Sequence, residues 1–112
     1  MIKQKIYLEK YGWEVLVFYG MRKADVDEVC DSLVQIGCTG SAVDSAREHF
    51  LKDETNTGLT YSNLSERKSV VAVSRTTSEY EFVNTVTHEM FHIVSHVCDS
   101  LGIDMKSEEP CY

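Results

Sequence analysis

The sequence has no apolar run long enough to cross a bilayer. Its nearest candidate, Val15 to Tyr19, is also too short for the core of an export signal. A cytoplasmic location with no membrane partner is therefore expected. Basic clusters are missing as well: the densest cationic stretches are the pairs Arg22-Lys23 and Arg67-Lys68, and the formal net charge is −7. Phosphate backbones are held by clustered Lys and Arg, so nucleic acid is excluded as the main partner. The acidic balance describes a self-repelling surface and implies no preference for acidic substrates. Cysteine occurs four times (Cys30, Cys38, Cys98, Cys111), never at the close C-x-x-C spacing of a zinc knuckle or redox motif. Without an export signal, free thiols are expected, some of them buried as small hydrophobes. Proline occurs once, at Pro110, and no repeat or low-complexity tract interrupts the chain.

What remains is enough for one modest core. The chain has 112 residues, 43% of them hydrophobic, which fits a single domain over 1–112 with marginal stability. Ile2 to Leu8 and Trp13 to Tyr19 are rich in aromatic and β-branched residues and are separated by Glu9-Lys10-Tyr11-Gly12, which predicts a hairpin. Val26, Val29, Cys30, Leu33 and Val34 recur at helical spacing, with Gly37 as the stop. A second, shorter helix is expected over Ser41 to Leu51, with Ser41 as its cap. After the turn-rich Asp53 to Gly58, Leu59 to Tyr61 and Ser69 to Ser74 read as strands, the second apolar enough to be buried on both faces. The expected class is α+β: a small, mostly antiparallel sheet packed beside one long helix.

That helix is expected from about Glu79 to Ser100. At 3.6 residues per turn, Phe82, Val83, Val86, Met90, Ile93, Val94, Val97 and Leu101 share one broad arc. Thr85, His88, His92, His96 and Asp99 fall opposite. A solvated helix face is usually built from Lys and Glu. Histidine and hydroxyl residues in their place are unusual.

On the polar side stands His88-Glu89-Met90-Phe91-His92, an H-E-x-x-H motif. Residues four apart lie one turn apart on the same face, so both imidazoles can reach one ion. Zinc accepts neutral imidazole nitrogen at about 2.0–2.1 Å and prefers four ligands. Glu89 is rotated aside, where it can take a proton from an activated water and later pass it to the leaving amine. A motif match is only a hypothesis. This one lies on the best helix in the sequence, on its polar face, after an apolar strand.

A catalytic zinc site has three protein ligands and an open position. His96, Glu108 and Glu109 are the candidates for the third. His96 lies about 12 Å along the axis from His88, too far to share an ion on a straight helix. A histidine six residues past His92, reached through a glycine break, would serve, but Cys98 stands there. His96 is better read as facing substrate or solvent. Gly102 can end the helix, and Ser107-Glu108-Glu109-Pro110 looks like the start of another, where a carboxylate can return over His88 and His92. Glu109 is the first choice and Glu108 the reserve; the plain alternative is that both acids complement a helix N-terminus. Of the remaining residues, Tyr61 and Tyr112 can donate to a tetrahedral oxyanion, although buried tyrosines are commoner. His49 reads as a surface residue, Trp13 as core, and Arg75 as a solvated strand end with a substrate carboxylate as its alternative.

Thr87-His88-Glu89-Met90-Phe91-His92, followed at short range by Glu108-Glu109-Pro110-Cys111-Tyr112, resembles the compact zincin peptidases of phages and mobile elements. It is similar in outline to immunity-region metallopeptidases of the ImmA/IrrE type. The resemblance covers about residues 57–112 and is specific only at the two motifs. It implies a zincin-like fold and a Zn²⁺ ion held by His88, His92 and Glu109. It also implies Glu89 as general base, a peptide or protein substrate, and Ser69 to Ser74 as the strand whose edge holds that substrate. The sequence stops at Tyr112, short of where the ligand-bearing helix is expected to end. The expected function is zinc-dependent peptide-bond hydrolysis. The alternatives are a non-catalytic zincin-fold interaction protein, a regulatory peptidase cutting one partner such as a repressor, and a structural zinc site with four protein ligands.

Overall fold

A computed structural model describes residues 1–52 and 55–102. The first two apolar stretches form strands β1 (Ile2–Leu8) and β2 (Trp13–Met21), paired antiparallel from Ile2↔Tyr19 to Leu8↔Trp13. The turn between them is a short 3₁₀ segment closed by Gly12 at φ 60, a left-handed conformation that glycine adopts without a Cβ penalty. Helices α1 (Val26–Gln35) and α2 (Gly40–Lys52) follow, then β3 (Gly58–Asn63), β4 (Lys68–Ser74) and the 23-residue helix α3 (Glu79–Leu101). Gly37, at φ 92, closes α1 as expected. At α2 the capping hydroxyl is that of Thr39, which accepts from the Ala42 amide at 3.3 Å, rather than that of Ser41. Ser78 caps α3 by accepting from the Glu81 amide at 3.1 Å, and Gly102 ends it in the left-handed region.

The sheet order is β1-β2-β4-β3. Its outer pairs are antiparallel and its central pair, β2 with β4, is parallel, so the sheet is mixed. The parallel pairing follows from the connection: α1, α2 and β3 intervene, which gives the chain enough length to cross over and return in the same direction. β4 lies between β2 and β3 and is buried from Ser69 to Ser74. Both of its edges are used. The expectation that Ser69 to Ser74 offers an edge to substrate is therefore corrected: the outer strand beside α3 is β3.

Strand parity separates two cores on opposite sheet faces. Phe18, Val70 and Ala72 pack with Val29, Leu33, Ala46 and Phe50 of α1 and α2. Trp13, Val15, Val17, Val71 and Val73 pack with Ile93 and Val97 of α3. A bulge at Gly20 (φ 70) puts Tyr19 and Met21 opposite consecutive β4 residues, so Met21 joins the first core instead of the second. The architecture is thus α+β, a mixed four-stranded sheet with helices on both faces.

The arc of α3 that meets the sheet differs from the expected one. Thr85 and Glu89 are buried along with Ile93 and Val97, whereas Phe82 and Val83 are exposed. β3 supplies the reason. In register with Val73, Val71 and Ser69, its residues Gly58, Thr60 and Ser62 face α3, while Leu59 and Tyr61 pack on the other side. The α3 side of β3 is therefore small and hydroxylated, and it receives the polar stripe of the helix. Of the cysteines, Cys30 and Cys38 are free thiols. Cys98 is disulfide-bonded, against the expectation of a free thiol there. Cys111 lies outside the described residues. Among the described residues no helix is long and apolar enough to cross a membrane.

Candidate metal centre

His88 and His92 stand one turn apart on α3, with their Nε2 atoms 3.1 Å apart and their rings nearly perpendicular at 87°. Two nitrogens each about 2.0–2.1 Å from a tetrahedral ion are separated by about 3.3 Å. The observed pair lies within a few tenths of an ångström of that edge. The same separation lets an Nε2–H of one ring donate to the Nε2 lone pair of the other. In both cases the two Nε2 atoms face one another, as the i, i+4 spacing allows.

Glu89 turns the other way, onto β3. The Thr60 hydroxyl donates to its Oε1 at 2.9 Å. At Gly58 the fit is closer still: a Cβ there would lie 2.8 Å from Glu89 Cγ and Oε2. Only glycine lets the carboxylate lie flat on the strand. Glu89 is 4% exposed, and among the described residues no cation pairs with it. A buried carboxylate held by one neutral donor is costly. Packing alone gives no reason for an acid at this position.

His88 and Glu89 share a cavity of about 320 Å³ with Thr85, Asn84, Asn56, Thr57, Gly58 and His49. Asn56 adopts φ 55, and its side chain links this end of β3 to the approach to α3: Oδ1 accepts from the Thr77 amide at 3.0 Å, and Nδ2 donates to Thr77 Oγ1 at 3.0 Å. His49 is the residue that sequence reasoning placed on the surface. It projects from α2 to within 2.6 Å (Nε2 to Oγ1) of Thr57 and lines the cavity opposite the helix. No local signal marks it, because only the crossover of α2 over the sheet brings it there.

His96 is half-buried and turned away from the pair. Its Nδ1 lies 2.6 Å from Ser62 Oγ, which lies 2.6 Å from Ser69 Oγ, which accepts from Trp13 Nε1 at 2.8 Å. An indole nitrogen only donates, so the run that uses every hydrogen passes from Trp13 through both serines to His96 Nδ1 and leaves the ring hydrogen on Nε2. With Nδ1 occupied and Nε2 protonated, His96 has no lone pair to offer an ion. Burial first, then the neighbouring His92, push its pKa below the usual 6.5, with Asp99 acting in the opposite sense.

Among the described residues no group of three or more His, Cys, Asp and Glu side chains is placed to hold a metal. The structure brings together His88 and His92, with Glu89 beside them. Glu108, Glu109 and Tyr112 lie outside the described residues. Tyr61 faces α1 and α2 with its hydroxyl 3.5 Å from the Gly37 carbonyl, away from the pair. The two imidazoles would suit two of the four positions around a zinc ion, and the Glu89 carboxylate lies on β3 rather than between them. The chain matches no protein-family model, no curated protein and no solved structure.

Proposed function

We propose that this chain is a zinc-dependent peptidase of the zincin kind. The observation that carries the reading is the pair of Nε2 atoms 3.1 Å apart together with the adjacent buried Glu89, which lines one cavity with His88 at β3. His88 and His92 would hold the metal, with Glu109 as the third ligand that the resemblance implies. When bound, zinc supplies Lewis acidity to the scissile carbonyl and lowers the pKa of the attacking water.

The chain's own groups carry the other roles. Glu89 accepts a proton from the attacking water and passes it to the leaving nitrogen. Thr60 fixes one carboxylate oxygen, so the other is the one free to move the proton. Among the described residues β3 pairs with β4 on one side only, and an extended peptide can add to its outer edge, which would set its carbonyls beside the helix. Across the cavity, the side chains of Asn84 and of His49, whose Nε2 already meets Thr57, are polar groups that an oxyanion developing there would face.

Glu89→Gln separates binding from chemistry. The variant should keep stoichiometric zinc and lose hydrolysis of an unfolded protein substrate that the parent cleaves in a chelator-sensitive way. A fully active Glu89→Gln protein removes the mechanism. A zinc-loaded parent that cleaves nothing favours the non-catalytic alternative instead.

A further inference from the structure

We propose a second binding site at the carboxyl ends of the parallel strands, for a carboxylate carried on an apolar body. Its cationic wall is Arg22 and Arg75, and its apolar wall is Ile2, Tyr19 and Phe82. The inference is independent of the metal centre.

Topology makes the crevice. β2 and β4 run side by side in the same direction, and the Arg75 amide donates to the Met21 carbonyl at 3.2 Å, which ties their ends together. Beyond that point the chain leaves β2 for α1 on one face and leaves β4 for α3 on the other. Where neighbouring parallel strands send their connections to opposite faces, the connections part and open a ligand-sized gap. Two cavities of about 500 and 370 Å³ occupy this position, and Arg22 and Arg75 line both.

Charge and burial specify the ligand. The chain has 18 acidic and 11 basic residues, yet among the described residues no carboxylate lines either cavity. Among the described residues Asp25 pairs with Arg22: its Oδ2 accepts from the Arg22 amide at 2.9 Å and lies 3.9 Å from Arg22 Nε. That acid is shown against Arg22 alone. The Arg75 side chain is exposed, with no hydrogen bond or ion pair from its guanidinium among the described residues. The larger cavity continues onto apolar surface: Tyr19 and Phe82 rings stand 6.1 Å apart, and Ile2 and Phe82 are 69% and 40% exposed. A planar guanidinium matches a carboxylate through two parallel hydrogen bonds. An apolar body beside that carboxylate would cover Ile2 and Phe82, which inorganic phosphate could not do. A hydrophobic peptide C-terminus and a small amphipathic acid share this chemistry.

The test titrates the ¹⁵N-labelled full chain with N-acetyl-phenylalanine, its amide, acetate and inorganic phosphate, following backbone amides and arginine Nε–H signals. The acid should give saturable shifts at Arg75, Tyr19 and Phe82, with the amide, acetate and phosphate each weaker by about tenfold or more. Arg75→Gln should weaken the acid by about tenfold, and Phe82→Ala should weaken it while sparing the acetate response. A short peptide ending in phenylalanine identifies the source: tighter binding than N-acetyl-phenylalanine supports a peptide terminus, and equal binding supports a small acid. An amide that binds as well as the acid, phosphate that binds as well as the acid, or shifts that persist unchanged in Arg75→Gln would overturn the proposal.

Discussion

Replacing Gly58 by alanine tests how closely β3 and the α3 carboxylate are fitted. The new Cβ would lie 2.8 Å from Glu89 Cγ and Oε2 and 3.0 Å from Cδ. Carbon atoms in contact prefer about 3.5–4.0 Å, so something must move by roughly 1 Å. Glu89 is almost fully buried and its Oε1 is held by Thr60, so movement either breaks that hydrogen bond or lifts the helix from the strand. Overpacking of this kind costs about 1–3 kcal/mol. Against it stands about 0.4–1 kcal/mol gained because alanine restricts the unfolded chain, which applies here because Gly58 has no positive φ. The net expectation is destabilisation by roughly 1–2 kcal/mol. Urea unfolding followed by fluorescence of the single tryptophan, the buried Trp13, reads it directly. In a Glu89→Ala background the clash has no partner, so the same glycine replacement should cost nothing and the two changes should couple by about 1 kcal/mol or more. Additivity within about 0.5 kcal/mol would refute the contact argument. Under the peptidase proposal, Gly58→Ala also displaces the base, and cleavage should slow by about a hundredfold.

Ser69→Ala should cost about 1–3 kcal/mol by urea unfolding, because it leaves the fully buried Trp13 Nε1 without its acceptor. An unchanged midpoint would mean that this hydrogen bond contributes nothing. The pH dependence of the metal-free protein should carry the signature of His96, whose pKa lies below 6.5 in the folded state, from burial first and His92 second. The unfolded chain then takes up this proton more readily. The contribution is fully present above about pH 6.5 and is lost as pH falls towards the folded value. His96→Gln should flatten that acid limb in unfolding midpoints measured across the range; an identical slope in both proteins would contradict it.

Most of the elements were legible because each carries a period of its own. β1 and β2 follow from β-branched and aromatic runs around a glycine turn, α1 from apolar spacing of three and four, and β4 from an unbroken apolar stretch. The neighbours of β4 were not legible, because parallel pairing depends on a crossover whose path no local pattern encodes. That is why the outer edge belongs to β3. The rotation of α3 was within reach. Gly58-Leu59-Thr60-Tyr61-Ser62 alternates small or hydroxylated residues with apolar ones, and the first set is the surface onto which Glu89 and His96 fold. Reading the helix alone sent its apolar arc to the core; reading it with β3 would have sent part of the polar stripe there. At the candidate site, His88, Glu89 and His92 come from one short motif, so spacing alone finds them. His49 arrives from a different helix and needs the whole fold to place it.

The most direct measurement is titration of zinc into the chelator-stripped full chain, with the imidazole nitrogens of His88 and His92 followed by NMR. One zinc per chain is expected, with both Nε2 resonances shifting together at the same stoichiometry and the binding lost in His88→Ala and in His92→Ala. A chain that takes up no zinc, or a doubly substituted one that binds it as well as the parent, would contradict the account at its centre.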